Sequence, residues 1–272
     1  MSPTRVVTTF TSKLSEGLFR TVARIAQEAD LKAEVEKNHD ENRWWPTSLK
    51  DWRLRMTVAG WSTQVSYNMI TTYARVVAEA DRLGYDQLRE QADQELTALV
   101  APLGLRNQRV KYFRSLCYFL DSLHTSGVDA LTTDADDFIL LFAHQVSQAS
   151  YKVAQCATLY ARGYHCGIMP VDSGMVGKLA PLLGMSFNRG AVAHEQMRQV
   201  LQACVTDRAD HYRQLATSLG YRVTIPDGLP PSWWVHLILI YFKRLYCNPP
   251  SPRLCPLRPA CGSVLDCTCS ES

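Results

Sequence analysis

Apolar residues recur every three to four positions along most of this 272-residue chain, and this spacing limits the possible folds more than any other feature. Leu14, Leu18, Val22 and Ile25 share one face of a first amphipathic helix, and Ala29 continues the pattern. No segment shows the sustained period-two alternation of a half-buried strand, and no repeat of about 20 to 50 residues occurs. The sequence therefore predicts an all-α protein.

Composition and charge exclude some classes of protein. Apolar residues make up 46% of the chain, which is enough for a sizeable buried core and disfavours intrinsic disorder. The formal net charge is only +3, so a polyanion would have to be held by a local basic patch rather than by the whole surface.

Two segments bear on export and membranes. The first 17 residues lack the apolar core of a signal peptide, so we expect a cytoplasmic (nucleoid) or nuclear protein that is not secreted. The most apolar stretch, Trp233 to Phe242, is about half of the ~20 residues needed to span a bilayer. It predicts a buried helix, and we expect no contact with a membrane.

Cysteines are concentrated near the end of the chain. Five of the nine fall in the last 26 residues, namely Cys247, Cys255, Cys261, Cys267 and Cys269. In a reducing compartment such a group indicates a metal site more than disulfides. The first four follow a C-x7-C-x5-C-x5-C pattern without a CxxC pair, which leaves an iron-sulfur cluster, zinc and an unliganded tail as alternatives.

Lys152 and Asp172 are the residues most suited to catalysis. A lysine amine is a nucleophile only when unprotonated, and a single helical lysine is more often a solvated surface group. Asp172 precedes a helix that is expected to end at Gly184, where its carboxylate can cap the backbone and still take part in acid-base chemistry. No P-loop, GxGxxG, GxSxG or HExxH motif is present, so phosphoryl transfer, hydride transfer and zinc proteolysis lack their usual motifs.

Four basic residues crowd the start of another predicted helix. They are Arg106, Arg109, Lys111 and Arg114. Such a cluster is either a solvated face or a surface that contacts phosphate, and the sequence alone leaves both interpretations open.

These pieces stand in an order that resembles the helix-hairpin-helix base-excision DNA glycosylases, the superfamily of endonuclease III and the mismatch adenine glycosylase. "GWSTQVSYNMITTYARVV" resembles the early pocket helix of that family, and "PLGLRNQRVKYFRSLCYFL" resembles its GL(Y/R)xxKAxxI helix. "VSQASYKVAQ" stands where the hairpin and lysine lie, "PVD" where the catalytic aspartate lies, and the cysteine tail where the iron-sulfur loop lies. The likeness covers about residues 50 to 269.

The resemblance implies a two-lobed helical DNA-glycosylase fold with a helix-hairpin-helix motif and a C-terminal iron-sulfur loop. Residues 1–49 would be an N-terminal helical extension packed on the C-terminal lobe. Residues 50–185 would form a central helical barrel with the hairpin at about 139–162. Residues 186–272 would form the C-terminal lobe, with the cluster loop at 247–269.

The implied activity is cleavage of the N-glycosidic bond of a flipped damaged or mispaired base in double-stranded DNA by a monomeric enzyme. Lys152 would be the nucleophile and Asp172 the essential carboxylate. If Lys152 lines the pocket, AP lyase activity through a Schiff base follows; otherwise Asp172 activates water and the enzyme is monofunctional. The residues expected to contact substrate or DNA are Gln64, Arg106, Arg109, Gln148 and Ser150.

The cofactor implied by the resemblance is a 4Fe-4S cluster, with zinc as the alternative. Its ligands would be Cys247, Cys255, Cys261 and Cys267, with Cys269 as a substitute for one of them. The family spacing is C-x6-C-x2-C-x5-C, so the first interval here is one residue longer and the second is three residues longer.

The hairpin also departs from the family pattern. Gln148 and Ser150 replace the glycines of LPGVGxKTA, and Ser173-Gly174 follows Asp172 where Thr-His is common. Two alternatives therefore stand beside duplex repair. One is the same fold acting on a modified nucleoside or another non-duplex substrate, and the other is a non-catalytic iron-sulfur protein that binds nucleic acid.

Overall fold

The computed structural model describes residues 8–44, 46, 48–247 and 255–257. Regular structure within these ranges is helical, and no strand occurs among them, so the predicted all-α class is confirmed. Cys261, Cys267 and Cys269 lie outside the described residues.

The chain forms two compact units. The first, called the terminal unit, consists of residues 1–40 and 165–272, and the second, called the central unit, consists of residues 41–164. The segment from His165 joins the terminal unit, where the Met169 N–H donates to Gln202 Oε1 at 3.2 Å. The central unit thus ends at Tyr164, whereas the sequence analysis placed the end of a central barrel at residue 185.

The helices of the two units are as follows. The terminal unit contains α1 (Ser12–Ile25), α2 (Ala29–His39), the π-helical turn Met175–Leu179 running into α10 (Ala180–Leu182), α11 (Val192–Asp207), α12 (Ala209–Ser218) and α13 (Ser232–Tyr246). The central unit contains α3 (Trp52–Trp61), α4 (Ile70–Leu83), α5 (Tyr85–Glu90), α6 (Asp93–Val100), α7 (Arg106–Ser126), α8 (Ala135–Gln145) and α9 (Tyr151–Arg162).

The terminal unit is built around α13, whose apolar sequence is buried from Trp233 to Lys243, so the expected buried helix is confirmed. Helix α1 packs on α11 and α13 through the predicted apolar face, on which Leu18, Val22 and Ile25 are buried. Helix α2 packs on α13, where the Trp233 indole N–H donates to the His39 carbonyl at 2.9 Å. Helices α1 and α2 therefore share one core with α11 and α13, which follow much later in the sequence.

The central unit is built around α3, which packs on α7 and α9. Two buried tyrosines bond to its backbone: Tyr112 donates to the Met56 carbonyl at 2.7 Å and Tyr73 to the Val58 carbonyl at 3.0 Å. Helices α8 and α9 pack on each other and are joined by a short turn, as the sequence predicts. The turn places Lys152 in the first turn of α9.

Among the residues that the structure describes, no helix combines the length and the apolar character that a membrane crossing requires.

Candidate functional site

Asp172 caps the helical segment that follows it. Its carboxylate Oδ1 accepts the Met175 backbone N–H at 2.7 Å, and its own carbonyl accepts the N–H groups of Met175 and Val176. These bonds satisfy donors that a helix start otherwise leaves unpaired. The predicted capping role of Asp172 is confirmed.

The second carboxylate oxygen of Asp172 meets a lysine from α13. Lys243 Nζ donates to Asp172 Oδ2 at 2.5 Å. The side chain of Lys243 is only 7% exposed, whereas that of Asp172 is 33% exposed. A largely buried ammonium thus supports a carboxylate that solvent or a ligand can reach.

The charges around this pair keep Asp172 ionised. Burial by itself would raise the pKa of Asp172, but the ammonium of Lys243, the Met175 N–H and the nearby His236 together hold that pKa below its ordinary value. Burial, with smaller contributions from Arg244 and Lys178, lowers the pKa of Lys243 more than Asp172 raises it.

Gly174 provides the space in which the Lys243 ammonium lies. A Cβ on this residue would stand 2.7 Å from Lys243 Nζ and 3.1 Å from its Cδ. A side chain at 174 would therefore force the end of the Lys243 side chain to shift from its present position. Gly177 follows on the same segment, and a Cβ there would meet no atom within 4 Å, so that position is under no such restriction.

A serine and a histidine lie beside the pair. The exposed hydroxyl of Ser173 is 3.4 Å from His194 Nε2, and His194 Nδ1 is 3.2 Å from the Ala191 carbonyl. Because a carbonyl only accepts hydrogen bonds, this contact favours the tautomer with the proton on Nδ1. Nε2 is then the acceptor for the serine hydroxyl.

The predicted nucleophile, Lys152, lies in a different unit from Asp172. It is half-buried and is the second residue of α9, directly after the hairpin turn. Within the terminal unit the lysine that contacts Asp172 is Lys243, which lies near the end of the buried helix α13 and was not among the predicted site residues.

The hairpin turn holds one residue in a left-handed conformation. Gln148, at the first glycine position of the family pattern, has φ +66°, a region that glycine occupies far more readily than other residues. Ser150, at the second position, has ordinary extended angles of φ −87° and ψ 171°. Both residues are exposed, and only the first replacement carries backbone strain.

Arg109 does not have the role predicted for it. It is 2% exposed, and its guanidinium donates to the carbonyls of Gly104 at 2.8 Å and Thr63 at 2.9 Å, as well as to those of Leu103 and Trp61. These bonds occupy its donors and end α3 at Trp61, so a DNA phosphate has no access to this group. The buried Arg109 is a structural cap for the carboxyl end of α3.

Gln64 is also placed differently from the resemblance. It is an exposed residue of the loop between α3 and α4, with φ +57°, and does not lie in a continuous pocket helix. Between the end of α3 and Gln64, the carbonyls of Trp61 and Thr63 accept hydrogen bonds from the Arg109 guanidinium. Arg106, in contrast, is exposed at the first position of α7 and stays available to a ligand.

The cysteine region is described only at its beginning. Cys247 ends α13, where its N–H donates to the Lys243 carbonyl at 3.0 Å, and Cys255 is half-buried beside Pro256, whose carbonyl accepts Arg24 Nε at 2.7 Å. In the described part of the chain no three His, Cys, Asp or Glu side chains are grouped to hold a metal. Three of the five proposed ligands lie beyond that part, so the cluster stays a prediction.

The central unit also carries an open surface cavity of about 500 Å³ between α3, α5 and α7. Arg53 and Arg89 line it, but these arginines already pair with Asp86 and Asp121 at 2.9 and 2.8 Å. None of the predicted site residues lies in it.

Comparison with known proteins finds no family model that matches the chain and no curated protein with significant sequence similarity.

Proposed function

We propose that this protein is a DNA N-glycosylase of the helix-hairpin-helix type, with Asp172 as its essential carboxylate. The observation that carries the proposal is the environment of Asp172 at the start of a helical segment. Both of its carboxylate oxygens accept a hydrogen bond, its pKa is lowered so that it is ionised, and its side chain is 33% exposed. A carboxylate with these properties can stabilise positive charge in a transition state without having to reorganise.

The chemistry suits the loss of a base from a nucleotide. As the bond between the sugar C1′ and the base breaks, positive charge develops on the sugar, and the Asp172 carboxylate would stabilise it or orient the attacking water. The target nucleotide would have to leave the duplex, since C1′ cannot be reached inside the base stack.

The helical hairpin gives independent support. Two helices, α8 and α9, are joined by a turn of five residues, Val146 to Ser150, and the lysine that the resemblance designates as nucleophile is the second residue after this turn. Lys152 at the start of α9 would attack C1′ if the enzyme also has lyase activity. A monofunctional enzyme would instead rely on Asp172 and water.

A 4Fe-4S cluster, or alternatively zinc, would belong to the terminal unit. Cys247 is held at the rigid end of α13, where its backbone N–H bonds to the carbonyl of Lys243, the lysine that contacts Asp172. With Cys255, Cys261 and Cys267, and Cys269 in reserve, the tail supplies enough thiolates for either group.

The test is base excision on duplex oligonucleotides that carry a panel of damaged and mispaired bases. We expect turnover on at least one of them and its loss in Asp172→Asn, which keeps the shape of the side chain and removes its charge. Asp210→Asn, at a side chain that is 90% exposed, is the control and should keep full activity. If the wild-type protein excises no base from any of these duplexes, the alternatives that remain are an enzyme for a non-duplex substrate and a non-catalytic protein.

Borohydride trapping decides the role of Lys152. A bifunctional enzyme forms a covalent DNA adduct that is lost in Lys152→Ala. An adduct that persists in this variant would remove Lys152 from the mechanism.

One observation favours a second candidate, an enzyme of the same fold that acts on a modified nucleoside or another non-duplex substrate. Gln148 and Ser150 place side chains on the exposed hairpin turn where glycine would allow a close approach to backbone phosphate. Salt-dependent binding to abasic-site duplex would support the first candidate, whereas a lack of binding at low salt would support the second.

A further inference from the structure

Lys243 and Gly174 form a matched pair around the proposed essential carboxylate. The ammonium of Lys243 bonds to Asp172 Oδ2, and the position of Gly174 leaves the volume that this ammonium fills. The two residues are 69 positions apart in the sequence, but the ammonium of one lies in the space that a side chain at the other would fill.

We propose that Lys243 is a positioning residue, which holds the Asp172 carboxylate ionised and in one orientation. Gly174 makes this contact possible because it has no side chain in the space that the ammonium occupies. The proposal rests on the function proposed for Asp172. It assigns a role to a buried lysine that neither the helical hairpin nor the cysteine tail accounts for.

Burial makes this contact strong. The Lys243 side chain is 7% exposed and enters from α13, a helix whose neighbouring residues from Trp233 to Phe242 are all buried. A lysine is rarely placed in such a helix unless its charge is paired. Asp172 supplies that pair, and the rigid helix fixes where the charge stands.

Orientation follows from the two oxygens of Asp172. Oδ1 is held by the Met175 N–H at 2.7 Å and Oδ2 by Lys243 Nζ at 2.5 Å, so rotation about the side chain would break one bond or the other. The exposed edge of the carboxylate therefore faces one direction, which a group that stabilises a developing charge requires.

The charged groups that face the pair come from several elements. His236 and Arg244 lie on α13 with Lys243, and Lys178 lies on the π-helical turn, where its Nζ donates to the Cys247 carbonyl at 2.8 Å. Of these side chains only Lys243 bonds directly to the carboxylate, whose other bond comes from the Met175 backbone N–H. Removing a cation other than Lys243 should therefore leave the orientation of Asp172 intact.

Two variants separate charge from contact. Lys243→Met removes the ammonium, whereas Gly174→Ala keeps both charges and drives the ammonium away, because the new Cβ would lie 2.7 Å from Nζ. Gly177→Ala is the matched control for the glycine, and Lys178→Met is the matched control for the loss of a lysine from the same region.

The first measurement does not depend on DNA. The Asp172 carboxyl carbon is followed by ¹³C NMR as the pH is lowered, with Asp172→Asn for assignment. We expect it to protonate at a higher pH in Lys243→Met and in Gly174→Ala than in the wild type, and at the wild-type pH in Gly177→Ala. Unchanged titration in both test variants would overturn the proposal.

The second measurement is base excision on the substrate found for the wild type. We expect kcat to fall by about 100-fold in both test variants with KM nearly unchanged, since a misplaced catalytic group costs turnover more than binding. An increase in KM with kcat unchanged would overturn the positioning role. If the wild type excises no base at all, the proposed function fails while the NMR titration still decides the contact.

Discussion

The ring of Tyr112 on α7 lies against the Cα of Gly60 on α3, in the volume that a Cβ at residue 60 would occupy. The Tyr112 hydroxyl also donates to the Met56 carbonyl of the same helix at 2.7 Å, so the ring cannot easily move aside. Gly60 is therefore needed for the close packing of these helices.

Gly60→Ala should destabilise the protein strongly. Overpacking a buried contact costs about 1 to 3 kcal/mol, and the fixed Tyr112 hydroxyl favours the upper end of that range. The measurement is the free energy of unfolding in urea. Gly177→Ala, where a Cβ meets no atom, is the control, and an equal loss in both variants would contradict the packing argument.

Arg109 and Arg106 should differ sharply although they lie one helical turn apart on α7. Arg109→Met leaves four carbonyls without their donor, two at the end of α3 or just after it and two directly before α7. We expect a loss of about 3 kcal/mol or more. Arg106→Met, at an exposed residue, should leave unfolding unchanged. If DNA is the ligand, Arg106→Met should instead weaken binding and reduce its salt dependence.

Gln148→Gly should stabilise the hairpin. Gln148 adopts φ +66°, where a side chain costs about 1 kcal/mol relative to glycine, so urea denaturation should show a gain of roughly that size. Ser150→Gly is the matched change at the other altered position and should bring no gain, because Ser150 has ordinary extended angles. Equal effects at the two positions would refute the assignment of strain to residue 148.

The stability of the terminal unit should decrease below about pH 6.5. Burial lowers the pKa of His39, the neighbouring Asp40 offsets only part of that shift, and His165, 5.8 Å away between ring centroids, lowers the pKa further. The unfolded chain therefore binds protons at a pH where the folded His39 does not. Stability is complete above the unfolded pKa and is lost as the pH falls towards the folded one.

Urea unfolding between pH 8 and pH 5 measures this effect. His39→Phe should flatten the pH dependence because the buried ring no longer titrates, whereas His144→Gln, at an exposed residue of α8, should not. A variant with the full wild-type pH dependence after loss of His39 would assign the effect to other groups.

The cysteine tail gives a spectroscopic prediction. Anaerobically purified protein that holds an iron-sulfur cluster should be brown, with absorbance near about 400 nm, and Cys247→Ser should reduce it. Colourless protein that contains stoichiometric zinc would establish the alternative metal. Cys204→Ser, at a buried cysteine of α11 remote in sequence from the tail, should leave the metal content unchanged.

Local patterns were sufficient to predict much of the fold. The apolar face of α1, the buried helix α13, the short turn between α8 and α9 and the capping role of Asp172 all depend on residues close together in the sequence. Spacing of this kind reports directly on which residues share a helix face and where a helix begins.

The contacts of charged residues could not be predicted in the same way. Arg109 was grouped with its basic neighbours because its partners, the carbonyls of residues 61 and 63, lie in another helix and its following turn. Lys243 contacts an aspartate 71 positions earlier in the chain. The sequence did contain one signal, because Lys243 follows the apolar run of α13, seven residues after His236. A buried cation in such a helix requires a partner of opposite charge.

Because the terminal unit joins residues up to Asp40 with residues from His165 onward, its core cannot be completed until α11 and α13 have been synthesised. The Ser15 hydroxyl, for example, donates to the Cys204 carbonyl at 3.1 Å, a partner made 189 residues later. The central unit is contiguous and can fold first as the chain leaves the ribosome. During that interval the apolar face of α1 lacks the helices that cover it in the folded protein.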